Sequence, residues 1–218
     1  YYAFCDQDDI WDADKLSSAV AQLEQAGAAA PAMYCTRTRL IDETGRDLGL
    51  STLHARRPSF ANALVQSLGG ANTMVFNRAT KKLAAEIGAI DAASHDWWIY
   101  LLTTAVGGVA IYDPEPHIGY RMHGINIVGS NTGFFERSVR IRKLFSGQLR
   151  QWTDAHLAAL HSLRSRMPAG NQTTLDRFTH ARQAAILPRL CGFLKSGIYR
   201  QTALGNAGLA FAAVFKKI

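Results

Sequence analysis

The sequence predicts an α/β fold in which a mixed sheet is flanked by helices and followed by a helical extension at its carboxyl-terminal end. Short apolar runs at 1–5, 32–36, 71–76, 109–112 and 118–121 alternate with segments of helical period. Beyond about residue 134 the period is helical throughout, broken near Pro168-Ala169-Gly170 and near Pro188. With 218 residues, 48% of them hydrophobic, the chain can bury a core of domain size.

The elements follow in order. Tyr1 to Cys5 reads as a buried strand. A helix follows over about 13–25, with Asp12 as its cap and Leu16, Val20 and Leu23 on one face. The sequence opens inside an apolar run, so the expectation is that it starts part-way into a domain. Gly27 to Pro31 ends the helix, and Ala32 to Thr36 is a second strand. Asp42-Glu43-Thr44-Gly45 turns the chain between Leu40-Ile41 and a short return. The stretch 51–58 is loop-like, and a short helix over 59–66 leads to Gly69-Gly70. A strand over 71–76 precedes a helix capped by Asn77, with Leu83 and Ile87 inward. Ser94 caps the next helix, whose Trp97/Leu101 and Trp98/Leu102 pairs stand four residues apart. Val109 to Tyr112 and Ile118 to Arg121 are further strands. This divides the chain into an α/β part over 1–133 and a helical tail over 134–218.

Charge follows the same division. Residues 1–133 hold 10 Lys and Arg against 14 Asp and Glu, whereas 134–218 hold 14 against 3. A basic tail on an acidic body points to an anionic partner for the tail, or to a merely solvated helical face. An anionic membrane surface fits better than nucleic acid, because Gly192 to Arg200 and Leu209 to Lys217 mix aromatic and aliphatic residues with cations. No RNP-like pattern or Cys/His finger accompanies the charge, so no nucleic-acid partner is expected. No apolar run is long enough to span a bilayer. Cys5, Cys35 and Cys191 lack metal-like spacing and read as reduced thiols in a cytoplasmic setting.

Three polar clusters carry the chemistry. Asp6, Asp8 and Asp9 fall within four residues. Such crowding raises each carboxyl pKa unless a cation lies between them, and Mg²⁺ is usually held by one or two carboxylates plus phosphates. Turn acids capping the following helix are the alternative. His95-Asp96-Trp97-Trp98 opens a helix, where Asp96 is either a first-turn acid favoured by the dipole or a base. Its tryptophans are either core or a stacking surface. In Tyr120-Arg121-Met122-His123-Gly124-Ile125-Asn126, Arg121 is a phosphate clamp or a structural ion-pair partner. His123 is a metal contact or a surface residue.

Taken in order, these clusters resemble family 2 glycosyltransferases of GT-A (Rossmann-like) fold. Asp6-Gln7-Asp8-Asp9-Ile10-Trp11 with Lys15-Leu16 resembles the DxD-type metal motif. Gly70 to Arg78 is similar to the acceptor-side strand and helix of the bacterial rhamnosyltransferase-like members, and His95 to Trp98 resembles their catalytic-base segment. Residues 120–126 resemble their YRxHxxN signature. The resemblance covers about 1–130 and implies a partial GT-A sheet, whose nucleotide-binding first half would precede Tyr1. Ala13 departs from the proline common at that helix start.

What the resemblance implies is inverting, metal-dependent transfer of a sugar, rhamnose among the candidates, from a nucleotide-diphosphate donor to a glycan or lipid-linked acceptor. Asp96 would be the catalytic base. Asp6, Asp8 and Arg121 would bind the donor, Asp6, Asp8 and His123 the Mg²⁺ or Mn²⁺, and Asn72, Trp97 and Trp98 the acceptor. Work on cell-surface polysaccharide at the inner face of the plasma membrane, with the enzyme peripherally attached, would follow. The other reading is a non-catalytic fragment that docks a membrane or a partner.

Overall fold

A computed structural model of the chain describes residues 1–122 and 148–218. It is α/β, with two mixed four-stranded sheets and eight α-helices among the described residues. The strands are β1 (Tyr2–Ala3), β2 (Ile10–Trp11), β3 (Ala32–Thr36), β4 (Arg39–Ile41), β5 (Asp47–Leu50), β6 (Val75–Phe76), β7 (Val109–Asp113) and β8 (Ile118–Arg121). The helices are α1 (Lys15–Gln25), α2 (Phe60–Ala63), α3 (Arg78–Ile87), α4 (His95–Ala105), α5 (Gln148–Ser162), α6 (Ala169–Gln183), α7 (Ile186–Ser196) and α8 (Ala203–Val214).

The first sheet has the order β1-β6-β3-β7, with β3 parallel to β7 and β6 antiparallel to both β1 and β3. All five residues of β3 are buried, as expected of a central strand covered on both faces. Alternation along β3 then splits the core. Met33 and Cys35 join the larger cluster, while Ala32 and Tyr34 pack with Ala19 and Leu23 of α1 and with Val75. The larger cluster is continuous from Met33 to Ile218, so the buried faces of α5, α6, α7 and α8 share it with the sheet.

The second sheet has the order β2-β8-β4-β5. Its antiparallel β2/β8 pair sets Trp11 opposite Ile118 and Ile10 opposite Gly119, carrying Arg121 back toward the acidic turn. The β4–β5 hairpin is closed by Asp42, whose Oδ1 accepts from the backbone N–H of Thr44 and Arg46.

Asn77 joins helix to sheet. Its Oδ1 accepts from the N–H of Thr80, capping α3, and from that of Ala32 on β3, while its Nδ2 donates to Ala30 O. Another joint is Gly108, where an added Cβ would stand 2.7 Å from Thr103 O. In the tail, the buried Arg189 guanidinium donates to Ala213 O at 2.9 Å and to Ala184 O, satisfying carbonyls at the ends of α8 and α6.

Several elements differ from expectation. β1 is an edge strand, and Tyr1 and Tyr2 are 53% and 41% exposed instead of buried. Helix α1 starts at Lys15, and its first-turn neighbour Asp14 makes no side-chain cap. Asp12 instead gives its carboxylate to Arg39, at 2.8 and 2.5 Å, so the ion pair displaces the cap. The expected strand over 71–76 begins as a 3-10 turn over Ala71–Thr73, because the Thr73 hydroxyl and N–H both donate to Gly70 O. Ser94 precedes α4 without a side-chain cap. Pro188 lies in the first turn of α7, where a missing N–H costs nothing, and the break falls at Ala184–Ala185. The boundary at 133/134 lies outside the described residues.

Candidate functional site

Residues far apart in sequence meet at the acidic turn, where Asn72 and Arg121 both bond Asp9. The turn at 7–8 leads into β2, and Asp9 lies at its centre. One Asp9 oxygen accepts from Arg121 N at 3.0 Å, and the other from Asn72 Nδ2. Burial raises the Asp9 pKa, the two hydrogen bonds oppose the rise, and the nearby charges of Asp8 and Asp6 add to it. Sequence reasoning singled out Asp6 and Asp8, yet Asp9 is the carboxylate that the fold holds. Asp6 is exposed and Asp8 half-buried beside it.

Asn72 reaches Asp9 from the 3-10 turn and is itself 3% exposed. Gly70 permits this: a Cβ there would lie 2.7 Å from Asn72 Oδ1. Asn72 is thus a holder of the acidic turn, where direct acceptor contact was expected. The same loop carries Ser67, whose hydroxyl donates to Asp96 Oδ2 at 3.0 Å. Asp96 is half-buried in the first turn of α4. Its neighbour His95 meets the Phe4 ring edge-on at 4.5 Å, so the strand leading into the acidic turn also touches this helix start.

Arg121 acts through its backbone and its side chain. Besides the bond to Asp9, Nε donates to Asp8 O at 2.8 Å and NH1 to Glu43 O at 2.6 Å. The guanidinium ties the acidic turn to the β4–β5 turn, where a phosphate clamp was expected. Trp97 and Trp98, expected against a sugar, are 9% and 7% exposed core residues. Trp97 Nε1 donates to Ala63 O, and both indoles pack on His156 of α5. Helix α4 is buried continuously from Trp97 to Ala105, which leaves these rings no open face. His123 lies outside the described residues.

A cation is already present. The Lys15 side chain is almost completely buried, with Nζ 3.2 Å over the Trp11 ring and no hydrogen-bond partner. Burial lowers its pKa to about 8, against the pull of Cys5, Asp9 and Asp6.

A second acidic group, missed in the sequence, lies on the other side of β2. Ligand atoms of Asp12, Asp14 and His117 come within 4.8 Å of one another. The pairing of Trp11 with Ile118 brings His117 against Asp12, and Asp12 N donates to His117 O. His117 Nδ1 lies 3.1 Å from Asp14, and Tyr34 donates to the adjoining Asp113. Asp12 is already neutralised by Arg39, whose hydrogen bond holds its pKa below the usual carboxylate value.

No family model, no curated protein and no solved structure matches the chain. What the site can do therefore rests on its residues. Asp9 is engaged by Asn72 and Arg121, and Asp12, Asp14 and His117 are the group of three whose ligand atoms lie close enough among the described residues to share one cation. Asp96, oriented by Ser67, is a carboxylate fit to accept a proton. No helix among the described residues is long and apolar enough to cross a membrane.

Proposed function

We propose that this chain carries the metal and acceptor side of an inverting glycosyltransferase of GT-A type. The activity is transfer of a sugar, rhamnose among the candidates, from a nucleotide-diphosphate donor to a glycan or lipid-linked acceptor in cell-surface polysaccharide synthesis. The observation that carries this reading is that one loop serves both carboxylates, Asn72 holding Asp9 together with Arg121 and Ser67 holding Asp96. Mg²⁺ or Mn²⁺, held by Asp6 and Asp8, would supply Lewis-acid stabilisation of the leaving diphosphate. Asp96 takes the proton of the acceptor hydroxyl as that oxygen attacks the anomeric carbon, and Ser67 fixes the carboxylate for it. Asn72 and Arg121 hold Asp9, and so the turn that presents Asp6 and Asp8.

Titration of Mn²⁺ with a nucleoside diphosphate, followed by electron paramagnetic resonance, tests the reading. Saturable, diphosphate-dependent binding that disappears in Asp8→Ala is expected, and binding indifferent to Asp8 would overturn it. Asp96→Asn should leave that binding intact and abolish sugar transfer.

The tail supports peripheral attachment at the inner face of the plasma membrane. Leu187 and Leu194 on α7 are 75% and 82% exposed, and Leu204 on α8 is 71% exposed. No acidic residue follows Asp176, whereas Lys195 and Lys216 are exposed. Leu194→Glu with Leu204→Glu should release the chain from phosphatidylglycerol vesicles. A membrane-docking module without catalysis would keep vesicle binding and show no Asp8-dependent metal binding.

A further inference from the structure

The helical tail contains a cleft of about 350 Å³ that the acidic turn does not reach, lined by Arg150, Asp154, Arg182, Gln183, Lys216 and Ile218. Among its side chains, three cations face one carboxylate. Asp154 accepts from Arg182 NH1 at 2.7 Å and lies 4.0 Å from Arg150 Nε, so it serves both arginines. The Arg182 side chain is 9% exposed, and its Nε is buried without a hydrogen-bond partner. A buried donor left in this state is costly, and an arginine fork matches the oxygens of a phosphate.

Lys216 supplies an independent observation. Among the described residues it is the non-glycine residue with positive φ, at +54°. Its N–H bonds back to Ala213 O and that of Lys217 to Ala212 O, which is the Schellman ending of α8. Glycine is the inexpensive residue at that position, because a side chain there crowds the backbone. The sequence instead places a lysine where it lines the cation-rich cleft, and Lys216 has no ion-pair partner among the described residues. Backbone strain of this kind collects at ligand clamps.

We propose that this cleft binds a phosphate or diphosphate group, carried by a lipid headgroup or free in solution, between Arg150, Arg182 and Lys216. The site is independent of the transferase reading, since it uses none of the residues of the acidic turn. Its test needs no sugar donor.

The experiment compares the full chain with Lys216→Gly and with Lys82→Gln, an exposed cation on α3 outside the cleft and the tail. Glycine suits the backbone at 216, so that variant folds at least as well as the parent, and its melting temperature reports this. Inorganic pyrophosphate is titrated by calorimetry in one arm. In the other, vesicles of phosphatidylcholine with and without phosphatidylglycerol are co-sedimented. Affinity about tenfold weaker in Lys216→Gly, with Lys82→Gln unchanged, is expected, the size of one charge-assisted hydrogen bond. An effect confined to vesicles assigns the phosphate to a lipid headgroup, and one seen with pyrophosphate assigns it to a soluble ligand. Equal losses in both variants, no loss in Lys216→Gly, or no binding of either probe by the parent would overturn the proposal.

Discussion

His156 makes the stability of this chain depend on pH in a calculable way. The imidazole is 2% exposed, stacked on Trp98 at 5.8 Å and edge-on to Trp97 at 5.3 Å, and its Nε2 has no hydrogen-bond partner. Burial alone lowers its pKa from 6.5 to about 4. Above pH 6.5 the ring is neutral in both folded and unfolded chains and titration has no effect. Below it the unfolded chain takes up a proton that the buried ring refuses, so stability falls until the folded pKa is reached. Linkage with these two values removes about 2 kcal/mol between about pH 8 and about pH 5, and about 3 kcal/mol by about pH 4. His156→Leu keeps an apolar side chain against the indoles and deletes the titration. Urea unfolding followed by tryptophan fluorescence at the two higher pH values measures the difference. The parent should lose about 2 kcal/mol more than the variant. Equal losses would mean that the ring can charge without leaving its place, and the desolvation account would fail.

Two further substitutions probe how the fold holds its site. Asn77→Ala removes the cap of α3 and leaves the buried Ala32 N–H unpaired. It should cost about 3 kcal/mol in chemical denaturation, and a cost near that of a lone cap, about 1 kcal/mol, would show that the strand contact is idle. Asp12→Asn breaks a partly exposed ion pair with Arg39 and should cost about 1 kcal/mol at neutral pH. Because hydrogen bonding from Arg39 lowers the Asp12 pKa, this contribution is present above about pH 4 and is lost as pH falls through the lowered value. Thermal melts of parent and variant should therefore converge in acid.

What the sequence reveals here is what local chemistry decides. The Asp42 turn, the Asn77 cap and the helical spacing of Leu83 and Ile87 are written within a few residues, and each is where it was expected. Burial of β1 depends on the order of strands in the sheet, which short-range patterns do not carry. Asp12 is a good cap by position, but its fate is set by an arginine 27 residues away. The same holds at the candidate site. The acidic turn, Asn72, Asp96 and Arg121 are visible as polar islands, and the fold brings Asn72 and Arg121 to Asp9 while Asp96 bonds Ser67. Their division of labour was hidden, because the partners of Asp9 and Arg121 arrive through sheet pairing. For Trp97 and Trp98 the core alternative prevails, since α4 is covered on every side from Trp97 onward.

Lys15 has a consequence for the order in which the acidic turn comes into being. Sites built only from carboxylates repel themselves open until an ion arrives, and their assembly is bound to metal supply. Here the chain carries an ammonium under the turn, on the first residue of the helix that follows, and β2 pairs with β8 around it. The turn can close on its own charge. A divalent ion would then enter a shape already formed, and its affinity would be net of repulsion from a resident cation that cannot leave. Under the proposed function, such a site would favour loose, exchangeable metal carried in with a phosphate ligand over metal retained between turnovers.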